Sequence, residues 1–93
     1  MKMNKKRESF EIVYDILKAL QEKGGRLKPT HILYKSNLSH QMLTEYLAEL
    51  IKKNLVFEEN NKGKKMYSLT AKGYSFLKDF YVIRKFIESY GLE

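Results

Sequence analysis

The sequence contains no cysteine or tryptophan and only one proline. The absence of cysteine excludes disulfide bridges, thiol catalysis and cysteine-ligated zinc sites. The two histidines, His31 and His40, cannot ligate a metal ion by themselves. No apolar run approaches the roughly 20 residues that a transmembrane helix requires. The basic start of the chain is followed by no apolar stretch of the kind found in a secretory signal. We therefore expect no metal site, no membrane span and no secretory signal.

Catalytic motifs are also missing from the sequence. The carboxylate pair Glu58-Glu59 lies at the end of a predicted strand, with no histidine motif or glycine-rich phosphate loop nearby. No arrangement of a nucleophile and a base is apparent. We therefore expect no enzymatic activity, no cofactor and no small-molecule substrate.

The composition is that of a small globular protein with an excess of positive charge. Of the 93 residues, 43% are hydrophobic and 31% are charged, a balance typical of one folded domain rather than a disordered chain. The 18 lysines and arginines outnumber the 11 acidic residues, which gives a formal net charge of +7. This excess indicates a polyanionic partner.

The first half of the chain predicts a basic arm and two helices. Residues 1–7 are basic and poor in apolar side chains, so we expect a flexible arm. Helical periodicity extends from residue 8 to about 23, with Phe10, Val13, Leu17 and Leu20 on one face. The pair Gly24-Gly25 should end this helix. A short second helix is predicted over residues 30–36, with Pro29 in or just before its first turn.

The second half predicts a third helix, a β-hairpin and a long fourth helix. A tight turn at residues 37–38 leads to Ser39, a favourable N-cap for a helix from residue 40 to about 53. Asn54 is a plausible left-handed residue at its end. Residues 55–58 and 65–69 read as two strands, joined by a loop over residues 59–64 that is rich in turn formers. Thr70 should cap a helix from residue 71 to about 90.

This order of elements predicts a mainly α (α+β) winged helix-turn-helix. The domain, over residues 8–70, would contain three helices and a two-stranded hairpin wing. A flexible basic arm over residues 1–7 precedes it, and a C-terminal dimerisation helix over residues 71–93 follows it. In such a domain the third helix enters the major groove of DNA and the wing reaches adjacent phosphates.

Two groups of polar residues are candidates for DNA contact. Gln41 and Thr44 lie early on the outer side of the third helix, where base contacts usually form, although a plain solvated face fits them equally well. Glu45 on the same side would repel phosphates, so it either accepts a hydrogen bond from a cytosine amino group or faces solvent, and we favour solvent. Because the free N–H groups at a helix N-terminus bind phosphate, the first turn of the third helix is a further candidate for DNA contact. The complete predicted DNA-binding set is Lys5, Lys6, Arg7, Lys35, Ser39, His40, Gln41, Thr44, Lys52, Lys62, Lys64 and Lys65.

The seven tyrosines and five phenylalanines allow two interpretations. Exposed aromatic rings stack on the bases of single strands, which would indicate single-stranded DNA or RNA binding. Most of these residues, however, fall at helical core spacing. We therefore expect most of them in the core, with Tyr14 and Tyr34 the least certain, and we disfavour single-strand binding.

The fourth helix carries an apolar stripe that predicts a homodimer. Its members recur at spacings of four, three, four and three, and Gly73 continues the series backwards; they are Phe76, Phe80, Ile83, Ile87 and Tyr90. This average period of 3.5 is the pattern of a coiled-coil seam. The alternative is that the stripe covers only the core of its own chain. We favour the dimer, because the first helix is already apolar over more than half its surface and a monomer would expose a large apolar patch.

Two sequence runs resemble a known family. The run ILYKSNLSHQMLTEYLAELIKKNLV, followed by MYSLTAKGYSFL, resembles the small basic archaeal winged-helix DNA-binding proteins, which are chromatin-associated. The run Tyr-Lys-x-Asn-Leu-Ser at residues 34–39 is the narrower of the shared motifs. The resemblance implies DNA binding, no catalysis and a homodimer formed through an antiparallel coiled coil. It does not distinguish a chromatin packer from a site-specific regulator.

From these observations we predict a dimeric protein that binds double-stranded DNA, either as a transcriptional regulator or as a chromatin protein. Its expected location is the cytoplasm, on the nucleoid. The alternative is a winged-helix docking module of a transcription or replication complex, because fold alone does not determine function. The basic arm and wing argue against a docking role.

Overall fold

The structure, a computed structural model, describes residues 5–22 and 26–92. Residues 1–4 of the predicted arm, the Gly24-Gly25 helix stop and residue 93 lie outside the described residues. The elements, in chain order, are the helix α1 (Lys5–Glu22), the short strand β1 (Arg26–Leu27), the helices α2 (Pro29–Ser36) and α3 (His40–Lys52), the strands β2 (Val56–Asn61) and β3 (Lys64–Leu69), and the helix α4 (Ala71–Ser89). The predicted winged helix with a long C-terminal helix is therefore confirmed.

The core is built by one face of each helix and the inner side of the sheet. Fully buried residues of α1 and α2 form its centre, with the apolar stripe of α3 packed against them. The buried members are Ile16, Leu17, Ala19, Leu20, Leu27, Ile32, Leu43, Leu47, Leu50, Val56, Tyr67, Leu69 and Leu77. This packing turns the opposite, polar side of α3 outwards.

Local signals in the sequence correctly predict how three of the helices begin. Pro29 stands at the start of α2, where its missing N–H has no partner to lose. The Ser39 hydroxyl accepts the Met42 N–H at 3.1 Å and caps α3. The Thr70 hydroxyl accepts the Gly73 N–H at 3.0 Å and caps α4. Asn37 and Asn54 adopt the left-handed conformation that a turn after a helix requires (φ 56° and 64°).

The hairpin is longer and its turn is tighter than the sequence predicts. Lys62 and Gly63 form a two-residue turn in which both residues have positive φ, 53° and 81°. Such a turn matches the twist of the flanking strands, so residues 59–61 and 64 continue the ladder instead of forming a loop. β3 also pairs with β1, which makes a three-stranded sheet in the order β1-β3-β2. The sequence prediction missed β1.

The first helix packs against the fourth. The rings of Tyr14 and Phe80 have centroids 5.1 Å apart, and Phe76 stacks on Phe80 at 5.6 Å. The Arg84 guanidinium lies 5.1 Å over the Tyr14 ring and 3.9 Å from the Glu11 carboxylate. Much of the wide apolar arc of α1 is therefore covered within the chain.

The helix α1 begins at Lys5 rather than at residue 8, so three residues assigned to the basic arm are helical.

The prediction that most aromatic residues lie in the core is wrong for the single chain. Tyr67 is the only one of the twelve that is buried, and the packing of α1 on α4 covers others in part. Tyr34 is 91% exposed on α2. Helical spacing placed these residues on apolar faces, but rings at the edge of a small core keep one side in solvent.

Within residues 5–22 and 26–92, no helix has the length and apolarity of a membrane span.

Candidate nucleic-acid interface

The outer side of α3 presents a row of exposed polar side chains. Gln41, Thr44 and Lys52 are exposed, as predicted, while Leu43 and Leu47 on the opposite side are buried. At 3.6 residues per turn, Gln41, Glu45 and Lys52 follow one another along a single stripe. The helix can therefore offer this stripe to a partner without disturbing the core.

Two hydrogen bonds order the side chains on this outer side of α3. The Thr44 hydroxyl donates to the His40 carbonyl at 2.9 Å, and the Gln41 Nε2 donates to the Glu45 Oε2 at 3.3 Å. Glu45 is exposed, as expected, but the sequence prediction missed its bond to Gln41. The pairing orients the amide and leaves its oxygen and one N–H for an outside partner. The carboxylate also places a negative charge beside any phosphate that approaches the middle of the helix.

The N-terminus of α3 provides backbone donors at the same end of the stripe. Ser39 satisfies the N–H groups of Met42 and Leu43, through its hydroxyl and its carbonyl. The N–H groups of His40 and Gln41 have no intrachain acceptor among the described residues. Both side chains are exposed. A phosphate oxygen is a suitable acceptor there, because the helix dipole also favours negative charge.

The wing carries three exposed lysines with different surroundings. Lys62 lies in the turn itself, and Lys64 and Lys65 follow it on β3. Neighbouring residues of a strand point to opposite faces, so Lys64 and Lys65 do not form one cluster. Lys65 Nζ lies 3.7 Å from Glu58 Oε2. Among the described residues, Lys62 and Lys64 form no ion pair with a carboxylate.

Glu58 is held at the base of the wing by a second partner. The buried Tyr67 hydroxyl donates to Glu58 Oε2 at 2.7 Å. Burial, this hydrogen bond and the charge of Glu58 together raise the pKa of Tyr67 to about 12. The predicted phosphate contact at Lys65 therefore competes with a carboxylate that is fixed in place, whereas Lys62 and Lys64 do not face such competition.

The remaining predicted DNA-binding residues divide into two cases. Lys35 Nζ pairs with Glu22 Oε1 at 3.2 Å and so ties α2 to the end of α1. The side chains of Lys5, Lys6 and Arg7 lie outside the described residues, although their backbone is the first turn of α1. That end of α1 lies beside α3, because the Tyr46 hydroxyl donates to the Ser9 hydroxyl at 3.2 Å.

The predicted dimer stripe separates into a covered part and an exposed part. Phe76 and Phe80 are half-buried within the chain, against α1. Gly73 also belongs to the interior, because a Cβ there would lie 2.3 Å from the Leu55 carbonyl oxygen. Towards the C-terminus of α4, four of the exposed large side chains lie on one side of the helix. This C-terminal apolar surface consists of Ile83 (52%), Phe86 (65%), Ile87 (39%) and Tyr90 (68%).

A junction of hydrogen bonds joins the end of α3, the start of β2 and the start of α4. The Thr70 hydroxyl donates to the Asn54 carbonyl at 2.6 Å, and the Thr70 N–H donates to the Leu55 carbonyl at 3.2 Å. Lys72 Nζ donates to the Lys53 carbonyl at 2.9 Å. The sequence indicated Thr70 only as a cap. Its second role, holding the Asn54 and Leu55 carbonyls, depends on a long-range contact that no local pattern reveals.

Comparison with known proteins gives one family and several similar structures. A family model described as winged helix-turn-helix matches residues 6–88. No curated protein matches the sequence. The chain is similar to Sso10a-2, a DNA-binding protein from Sulfolobus solfataricus, with 24% identity and a TM-score of 0.70 over 87% of this chain and 85% of that one.

Two further structures show the range of the similarity. F93 from STIV, a winged-helix DNA-binding protein, is 28% identical, with a TM-score of 0.68 over 77% of this chain and 85% of that one. The PcaV transcriptional regulator from Streptomyces coelicolor is 18% identical, with a TM-score of 0.76 over 86% of this chain. The chain spans 58% of the length of PcaV, so the likeness to that regulator covers a shared fold within a longer chain.

Proposed function

Since the chain belongs to the winged helix-turn-helix family, we propose that it binds double-stranded DNA through α3 and the wing, as a homodimer held by α4. The observation that carries the proposal is the exposed polar stripe of α3, followed directly by a wing whose lysines Lys62 and Lys64 have no carboxylate partner within residues 26–92. The net charge of +7 and the 28% identity to F93, itself a DNA-binding protein, support it.

In this proposal α3 lies in the major groove and its first turn meets the backbone. The free amide groups of Gln41 suit a bidentate contact with adenine, and Thr44 lies one turn away. The N–H groups of His40 and Gln41 bind a phosphate next to the base that is read. Lys52 at the far end of the helix and the wing lysines bind phosphates on either side.

The homodimer rests on the C-terminal apolar surface. Four large apolar side chains along little more than two turns of one helix are seldom left in water by a monomer. Ile83, Ile87 and Tyr90 are the exposed part of the predicted stripe with its 3.5-residue period, and Phe86 lies beside them, so a second copy of α4 is the partner that fits. Two winged domains at a fixed separation would then grip two half-sites or two DNA segments, and the nucleoid is the location that we propose for the protein.

Selection of binding sites from random duplexes at moderate salt tests this function and separates its two forms. A recovered motif identifies a site-specific regulator, whereas retained binding without a motif identifies an architectural protein. If the protein binds no duplex in this selection, the proposal is refuted.

The variant Gln41→Ala locates the reading face. Gln41 is exposed, so the fold should survive its replacement. Where a motif exists, the loss should fall on particular base pairs, at about 1–3 kcal/mol each. Ser75→Ala, an exposed polar position on α4, is the control and should bind like the wild type. Unchanged binding by the Gln41 variant would move the interface away from α3.

A further inference from the structure

A groove between α1 and α4 is lined by alternating tyrosines and lysines. On α4, Tyr74, Lys78, Tyr81 and Lys85 follow one another at spacings of four, three and four, which keeps them on one side of the helix. α1 contributes Tyr14 and Lys18 to the opposite wall. These six residues are called the tyrosine–lysine groove below.

The groove consists of two adjoining cavities. The first has a volume of about 270 Å³ and is lined by Tyr14, Lys18, Tyr74, Lys78 and Tyr81, among others. The second, of about 210 Å³, shares Tyr14 and Tyr81 with it and continues towards Lys85. Because they share two walls, the cavities form one elongated depression along α4.

Two of the three tyrosine rings in the groove are exposed, and one of these two lies close to a lysine ammonium. Tyr74 is 42% exposed and Tyr81 is 53% exposed. Lys85 Nζ lies 5.7 Å from the centre of the Tyr81 ring. Single-strand binding is disfavoured only where the aromatic residues lie in the core, and Tyr74 and Tyr81 do not lie there.

The charge around the groove favours an anion. Lys18 and Lys78 line the first cavity, and no carboxylate of the described residues lines it. In the second cavity Glu88 offsets Lys85, at 3.9 Å. On the α1 side, Glu11 lies 3.9 Å from Arg84, and Asp15 also lies within the field of that guanidinium. The first cavity is therefore the more positive part of the groove.

The shape of the groove favours a flexible polymeric anion over a nucleic-acid duplex or a small molecule. A duplex is convex and stiff, so its bases cannot reach rings that lie between two helices. A small molecule needs a cavity of about 300–1,000 Å³ that encloses most of its surface. This depression is open along its length, so it does not enclose a small molecule in that way. A single strand can follow the groove with its phosphates on the lysines and its bases on the tyrosines.

We propose that the tyrosine–lysine groove binds single-stranded nucleic acid, as a second site separate from α3 and the wing. The site is compatible with the proposed dimer. At 100° per residue, the row from Tyr74 to Lys85 lies about 160° around α4 from the centre of the C-terminal apolar surface. A second copy on that surface leaves the groove open.

Fluorescence anisotropy with labelled oligonucleotides tests the proposal. The probes are oligo(dT) and oligo(U) of about 15 nucleotides, within the range of known single-strand sites, and a duplex of the same length. The variant Tyr74→Ala/Tyr81→Ala should lose at least about fivefold in single-strand affinity for each tyrosine removed. Its duplex affinity should not change. Comparing the two single strands shows whether the strand bound is DNA, RNA or both.

Three further variants make the result specific. Tyr34→Ala removes a more exposed tyrosine outside the groove and should bind single strands like the wild type. Tyr74→Phe/Tyr81→Phe keeps the rings and should also retain binding, since stacking does not need the hydroxyl. Lys62→Ala/Lys64→Ala should weaken duplex binding while leaving the single-strand affinity intact, which separates failure of this site from failure of the duplex site.

Several results would overturn the proposal. One is a wild type with no measurable single-strand affinity, and another is single-strand binding that depends on the wing lysines instead of the tyrosines. A third is a Tyr74→Ala/Tyr81→Ala variant that is folded by circular dichroism but sediments as a smaller species, because a second copy would then occupy the groove. Equal losses for Tyr34→Ala and the groove variant would show that tyrosine removal acts non-specifically.

Discussion

The wing lysines make the proposed duplex binding quantitatively testable through its salt dependence. Each phosphate neutralised on duplex DNA contributes about 0.9 to the slope of log affinity against log salt concentration. Lys62 and Lys64 are exposed and form no ion pair with a carboxylate in the described part of the chain. In a dimer, two wings with two such lysines each account for about 3.6 of the slope.

This share of the slope predicts a large change over a modest range of salt. Between 50 and 200 mM salt, a slope difference of about 3.6 corresponds to a factor of about 150 in affinity. The wild type, with about six to ten phosphate contacts in a dimer, should lose about a thousandfold or more over that range. Over the same range of salt, the factor by which affinity falls should be about 150 times smaller for the variant Lys62→Ala/Lys64→Ala than for the wild type.

Lys65 provides an internal comparison for the same assay. Its ammonium already lies 3.7 Å from the Glu58 carboxylate, so Lys65→Ala should reduce the slope less than Lys64→Ala. The control is Lys53→Ala, which removes an exposed lysine paired with Glu49 at 3.9 Å and should leave the slope unchanged. Anisotropy titrations at four or more salt concentrations give the slopes. A wild-type slope in the Lys62→Ala/Lys64→Ala variant would refute the reasoning, because the wing would then make no phosphate contact.

Further predictions concern stability and assembly. Gly73→Ala should lower the free energy of unfolding by about 2 kcal/mol in urea denaturation, because a Cβ 2.3 Å from the Leu55 carbonyl oxygen would push the backbone apart. The cost of this clash exceeds the free energy that alanine gains over glycine as a helix former. Equal stability would contradict this packing. Ile83→Asp should sediment as a monomer, since a buried unpaired charge opposes association, whereas Tyr34→Asp at a more exposed position should stay dimeric; a wild type that is monomeric at tens of micromolar would rule out the dimer. Since the pKa of Tyr67 rises from its ordinary 10.0 to about 12 on folding, the stabilisation is complete below pH 10 and is lost as the pH approaches 12. The urea midpoint of Tyr67→Phe should lack this decline, and a decline equal to that of the wild type would assign it to other groups.

The sequence predicted those features that depend on neighbouring residues. Ser39 and Thr70 cap their helices through hydrogen bonds that reach only three residues along the chain, so residue type and position sufficed. The order of the helices and the hairpin followed from hydrophobic periodicity in the same way. The exposed outer side of α3 was also predictable, because it is the complement of the buried leucine stripe.

The remaining features depend on contacts between distant residues. β1 is two residues long and exists because Arg26 and Leu27 pair with β3, so no periodicity marks it. The attachment of Lys65 to Glu58 depends on the strand register, which the tight turn determines. The apolar stripe of α4 has one period, but Phe80 packs on α1 while Ile83 faces outwards. Periodicity cannot assign each residue of such a stripe to its own core or to a second chain.

The junction at Thr70 couples the direction of α4 to α3 and the wing, the proposed DNA-binding elements. The end of α3, the start of the wing and the start of α4 are tied together there by hydrogen bonds, and the Leu55 backbone packs against Gly73. α4 has 19 residues and is about 28 Å long. A tilt of 10° at the junction would move its far end by about 5 Å, which exceeds the rise of about 3.4 Å per base pair. In the proposed dimer, joined near that far end, small angular changes at Thr70 would therefore change the spacing between the two copies of α3 by more than one base pair.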